Sequence, residues 1–100
     1  MTVSQITALA GKYIAKLQRK GIKAKKSEAP IIPTAADALA HASYLCSKIE
    51  SSVSNSADFD GGSGMNPEKA QRILGFVQGV LWMTGQRTLS QLQDDERIMA

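Results

Sequence analysis

Residues 75–83, GFVQGVLWM, constrain the fold more than any other stretch: eight of the nine are apolar or glycine, and only Gln78 is polar. A helix that is apolar nearly all round has to be covered on more than one side. At 100° per residue, Ala70, Ile73, Leu74, Val77, Leu81 and Thr84 form one stripe. Phe76, Val80 and Met83 form a second, and Gly75, Gly79 and Trp82 lie between the two. The glycines stand four apart, so they face the same way and invite close approach by another backbone. Each costs up to ~1 kcal/mol relative to alanine inside a helix, which such packing would offset.

The partner that the sequence offers is the segment from residue 34. Pro33 precedes Thr34, a helix N-cap with Asp37 as its reciprocal partner. Ala35, Ala38, Leu39, Ala42, Leu45, Cys46, Ile49 and Val53 then share one face, small at its start. The later helix opens at Asn66, with Pro67 in its first turn and Glu68 at the positive end of the dipole, and is expected to run to about Gln86. The expectation is an all-α protein: an antiparallel helical hairpin, residues 34–53 and 67–85, flanked by a basic N-terminal helix and a short C-terminal one. No strand pattern and no internal repeat is present.

The flanking helices carry their own signals. Val3, Ile6, Ala10, Tyr13 and Leu17 make a narrow stripe, Thr2 and Gln5 a capping box, and Gly21 a stop. That helix needs somewhere to dock, on its own chain or on a neighbouring subunit. Residues 22–33 read as a linker containing two prolines, with Ile31 and Ile32 tacking it down. Thr88 and Gln91 make a second capping box, opening a helix with Leu89 and Leu92 as its apolar residues. Phe76, Val80 and Met83 remain without cover on the hairpin, so Gly75, Phe76, Gly79, Val80, Trp82 and Met83 are the candidate packing and interface residues. The N-terminal helix, the C-terminal helix or a second subunit has to cover them: a homo-oligomer, with a dimer as the simplest case, is expected, against the rival of a compact monomer in which the two flanking helices fold back over the stripe.

Charge divides the chain differently. Residues 1–30 hold Lys12, Lys16, Arg19, Lys20, Lys23, Lys25 and Lys26 against Glu28 alone, a net of +6, whereas residues 31–100 hold five cations and eight acids, a net of −3. This suggests two regions, a basic helix and linker over 1–30 and a hairpin domain over 31–100. The seven cations are candidate contacts for nucleic acid or another anion, with Tyr13 the only aromatic among them for stacking.

Catalytic and metal chemistry find little support, and no enzyme is expected. His41 is the only histidine, and Cys46, five residues on, lies about 140° away round a helix, so the pair does not converge on one face. His41 reads as a helix residue hydrogen-bonded to a neighbour, Cys46 as a small buried hydrophobe. DFDGGSG, residues 58–64, starts like a calcium loop but has Ser63 where the turn needs glycine and Lys69 where a bidentate glutamate is needed. GGSG lacks the lysine and hydroxyl of a phosphate loop. No metal or cofactor is expected. With 43% hydrophobic residues and 21% charged, the chain has the composition of a folded domain. A lone cysteine, no signal-peptide pattern and an apolar run too short for a membrane span point to a soluble intracellular protein.

EKAQRILGFVQGVLWMTGQRTLSQLQDDE, residues 68–96, resembles a group of small tailed-phage and prophage proteins of unassigned role. The shared pattern is carried by Gly75, Phe76, Gln78, Gly79, Leu81, Trp82, Gly85, Thr88 and Leu92, and HASYLCSKIE, residues 41–50, resembles the first helix of the same unit. The resemblance covers about 60 residues and leaves out the basic N-terminal segment. It implies an accessory phage protein in the cytoplasm of a bacterial host, one that acts by binding a host macromolecule, such as a host protein, to block defence or redirect an enzyme. Two further expectations stay beside it: a nucleic-acid-binding regulator working through residues 12–26, and an oligomer that sequesters an anionic nucleotide.

Overall fold

The computed structural model describes residues 1–27, 33–52 and 65–99. Four helices follow in order: α1 Val3–Arg19, α2 Ala35–Ser52, α3 Pro67–Met83 and α4 Leu89–Met99. Among the described residues there is no strand, and the chain is all-α. Val53, Ile31, Ile32 and the DFDGGSG stretch lie outside the described residues.

All four helix starts are built by the side chains that the sequence offers for them. Thr2 and Gln5, Thr34 and Asp37, and Thr88 and Gln91 each form a reciprocal box, in which the threonine hydroxyl accepts an amide and the longer side chain accepts the threonine's own amide. Asn66 Oδ1 accepts the Lys69 amide at 2.8 Å behind Pro67. Such caps are worth about 1 kcal/mol each. Two helix ends follow one rule as well. Gly21 (φ 79°) and Gly85 (φ 77°) take the left-handed conformation, and the amides around them bond back in the two-bond pattern that closes a helix on glycine: Gly21 to Gln18 and Ile22 to Leu17, then Gly85 to Trp82 and Gln86 to Leu81. This stops α3 at Met83, three residues before the expected end near Gln86. The Thr84 hydroxyl, donating to the Val80 carbonyl at 2.7 Å, closes the same turn.

α1 occupies the centre. It packs most extensively against α2 and also touches α3 and α4, while α2 packs on α3. Directions follow from the junctions. The Lys25 amide, just past α1, donates to the Ala40 carbonyl near the start of α2, and the Met65 amide, just before α3, donates to the Ser52 carbonyl at the end of α2. α2 therefore runs antiparallel to both α1 and α3. The α2–α3 hairpin is present, but α1 is a third wall of the core rather than a flank. The division of the chain near residue 30 is one of charge, not of packing.

The core explains why α1 can do this. Ile6, Leu9, Ala10, Tyr13 and Leu17 are fully buried, and Leu9, absent from the expected stripe, widens the seam into a face. Burying Ile6, Leu9 and Leu17 contributes roughly 1.5–3 kcal/mol each. They meet Leu39, Ala42, Cys46 and Ile49 of α2, Ala70, Leu74, Val77 and Leu81 of α3, and Leu92 of α4. Leu89, expected beside Leu92, is exposed.

Gly75 and Gly79 do not mediate the expected close approach. A Cβ at either would meet nothing within 4 Å. Val77 points into the core, and residues two before and two after it lie about 200° round the helix, on the far side. The close approach occurs at Gly11 instead, where a Cβ would stand 2.7 Å from Glu50 Oε2 on α2.

Candidate functional site

Asp95 of α4 is the polar centre of the fold. Leu92 and Asp95 stand three apart and share the face of α4 that meets α1, so the carboxylate is carried inward with the leucine. Its side chain is 1% exposed, beside Arg87 at 11% and Lys12 at 37%. Lys12 Nζ donates to Oδ1 at 2.9 Å, the Tyr13 hydroxyl to Oδ2 at 2.9 Å and Arg87 Nε to Oδ2 at 3.2 Å, and Arg87 Nη2 completes the fork on Oδ1. Gln78, the one polar residue of the apolar run, donates from Nε2 to the Tyr13 oxygen at 3.2 Å. The Gly85 turn makes this possible, because it reverses the chain after α3 and presents Arg87 to Asp95.

Burial works to raise the Asp95 carboxyl, but hydrogen bonds from Lys12, Arg87 and Tyr13, with the charge of Arg87, hold it below the usual carboxylate range. Burial, reinforced by Asp95 and opposed by the Gln78 donor, pushes the Tyr13 phenol well above its ordinary value. Each Asp95 oxygen has two donors. The cluster therefore ties α1, the α3–α4 turn and α4 together, with no free acid–base pair to offer a substrate. Tyr13, expected as a stacking aromatic, is buried in this cluster and unavailable to a base.

The basic candidates separate into three groups. Lys12 is committed to Asp95. Lys16, Arg19 and Lys20 stand on the outer side of α1, where Lys20 Nζ bonds Gln86 Oε1 and Arg19 Nε donates to the Ala15 carbonyl at 3.4 Å. Lys12, Lys16 and Lys20 form an i, i+4, i+8 row whose two ends are fastened to the 86–87 turn, directly at Lys20 and through Asp95 at Lys12. Lys16 lies between them with no hydrogen-bond or ion-pair partner among the described residues. Partial burial first, then the charges of Arg87, Lys20, Arg19 and Lys12, lowers its pKa. Lys12 and Arg87 thus share Asp95, and among the described residues no ion pair joins Lys16, Arg19 or Lys20 to an acid. Lys23, Lys25 and Lys26 form the third group, exposed on the extended segment after Gly21. The Lys25 amide fastens that segment to α2 through the Ala40 carbonyl, and the Ser27 amide donates to His41 Nδ1 at 3.0 Å.

His41 is thus a helix residue hydrogen-bonded to a neighbour, and it also stacks on Tyr44 with ring centroids 5.8 Å apart. Cys46 is a buried free thiol, and burial first, then the charge of Glu50, pushes it up to about 12. Among the described residues no cluster of histidine, cysteine and carboxylate side chains has the makings of a metal site. None of their helices is long and apolar enough to cross a membrane.

The second surface is apolar. Phe76, Trp82 and Met83 are 56%, 48% and 76% exposed, and with Ala38, Gly79, Val80 and Thr84 they line an open groove of about 420 Å³. Val80 is only partly exposed, since it also packs against the core. The sequence located the basic row and this apolar stripe. It gave no sign that Arg87 and Asp95 would join the row, although the spacing of Leu92 and Asp95 was a usable clue. Compared with known proteins, the chain matches no family model, no curated protein and no solved structure.

Proposed function

We propose that the chain is a non-enzymatic accessory protein of the tailed-phage type that residues 68–96 resemble, and that it binds a macromolecule of the bacterial host, nucleic acid, through its basic face. One observation carries this reading: Lys12 and Arg87 pair with Asp95, the charges of Arg87, Lys20, Arg19 and Lys12 all act on Lys16, and Lys16 has no hydrogen-bond or ion-pair partner among the described residues. Such an excess of charge attracts a polyanion and releases its counterions. Donors remain after the internal bonds are made, three on Lys16 and two on Lys20. The partner surface is the phosphate backbone rather than the bases, because Tyr13 is buried and the row carries no other aromatic. A saturated Asp95 cluster supports binding rather than catalysis. A protein of this kind fits counter-defence, where covering or capturing nucleic acid interferes with a host enzyme.

Fluorescence anisotropy with a labelled duplex of about 20 base pairs tests this. About four phosphate contacts predict an affinity loss on the order of 10²-fold between 50 and 200 mM salt. Lys16→Glu should weaken binding at both salts while the helix content is unchanged. No binding at 50 mM salt, or binding indifferent to salt, overturns the reading. Stoichiometric displacement of the duplex by a free nucleotide also overturns it, in favour of a sequestering protein.

A further inference from the structure

We infer that the apolar face of α3 is a homodimer interface, in which α3 crosses α3 of a second copy antiparallel at Gly79. Area, charge and shape each support that occupant, and none of them rests on nucleic-acid binding.

The exposed portions of Phe76, Trp82 and Met83 amount to roughly 350 Å² of apolar surface, taking about 200 Å² for a fully exposed large side chain. That is within the range of the largest apolar patch on a soluble monomer, about 300–600 Å², and a patch of that size is often functional. A standard interface takes about 800 Å² from each partner, of which about 65% is apolar between identical subunits. These three side chains supply about two-thirds of that apolar share, and Ala38, Gly79 and Val80 of the same groove add to it.

Charge selects a second copy over a charged helix from another protein. Residues 73–86 hold no charged side chain, so nothing in the groove would recognise an acidic or basic partner. A two-fold contact sets the patch against itself, and a patch without charge meets its copy with no like-charge repulsion. The basic end of the molecule fixes the direction. Lys20 is bonded to Gln86, just beyond α3, so a parallel pair would press two basic ends together, whereas an antiparallel pair holds them apart.

Shape fixes the register. Gly75 and Gly79 face open space, and no contact among the described residues explains why α3 forgoes two alanines there. In an antiparallel crossing centred on Gly79, a residue n places before it faces the residue n places after it on the other copy. Gly75 then receives Met83, and Phe76 meets Trp82. Small faces large and ring faces ring, and symmetry makes each pairing twice.

Light scattering at 20–50 µM should return about twice the 10.7 kDa of the chain. Phe76→Glu and Met83→Glu should each give a monomer with unchanged helix content, because both side chains are exposed, whereas Lys48→Glu on the exposed side of α2 should leave the dimer intact. Register is read by cysteine: under mild oxidation Gly79→Cys should yield a covalent dimer and Gly75→Cys should not, since only residue 79 faces its own copy at disulfide distance. A monomeric wild-type protein at 50 µM overturns the inference. So does a dimer that survives both glutamate substitutions, and equal cross-linking at 75 and 79 overturns the antiparallel arrangement.

Discussion

Replacing Asp95 by asparagine keeps the shape of the side chain and removes its charge, so it isolates what the buried carboxylate does. Asparagine retains one acceptor oxygen, but its amide places two hydrogens among groups that are themselves donors: Lys12, Tyr13 and Arg87. Breaking a buried pair by removing one partner costs about 3–5 kcal/mol, because the other charge is left without compensation. Lys12 is 37% exposed and can turn to water, whereas Arg87 at 11% cannot, so the lower end of that range, about 3 kcal/mol, applies. For a chain of this length 1 kcal/mol corresponds to about 4–8 °C, which puts the fall in melting temperature at about 12–24 °C. Thermal unfolding followed by circular dichroism at pH 7 measures it. Adding Arg87→Met to the Asp95→Asn protein should recover part of the loss, because it removes the stranded charge. A fall of less than about 4 °C, or a double variant no better than the single, would refute the assignment of Asp95 as the lock.

Three other outcomes are expected. The folded Asp95 carboxyl lies below its ordinary value of 3.8, so its contribution is fully present above that pH and is lost as pH falls through the lower folded value; melting temperature should drop on acidification below about pH 4, and Asp95→Asn should flatten that limb. Gly11→Ala places a Cβ against the movable tip of the exposed Glu50 side chain, so the helix-propensity gain of up to ~1 kcal/mol should prevail, and a lower melting temperature would show that Glu50 is fixed. With the Cys46 thiol pushed up to about 12, a thiol reagent at pH 8 should label the protein only as fast as it unfolds, and rapid labelling in the native state would contradict the burial.

The fold was legible where local chemistry decides it. Thr2, Thr34, Asn66 and Thr88 start helices, and Gly21 and Gly85 end them, because orphan amides and carbonyls have few ways to be satisfied. What could not be read locally was which helix faces which. Without Leu9 the α1 stripe is a narrow seam, and a seam suggests a peripheral helix. With Leu9 included, α1 has a face broad enough to meet α2, α3 and α4 at once. Size alone would set the glycines of α3 against α2, since small residues favour close packing, but angle outranks size: with Val77 in the core, Gly75 and Gly79 have to look outward.

The same geometry explains why charge in the sequence overstated the basic patch at one point and understated it at another. A cation count treats Lys12 and Lys16 alike, yet Lys12 spends its charge on Asp95 while Lys16, one turn on, meets no acid among the described residues. Arg87 and Asp95 lie in the half of the chain whose net charge is negative, and only the Gly85 turn brings them to α1. Gln78 shows the same dependence from the other side. In an apolar run it looks like an interruption, but it sits one position beyond the buried Val77, at the edge of the core, where it reaches the Tyr13 hydroxyl. α3 is therefore apolar nearly all round for two separate reasons: one side forms the core, and the opposite side forms the groove that a second copy would cover. Gln78 stands on the boundary between them, where its side-chain amide donates to the hydroxyl already bonded to Asp95.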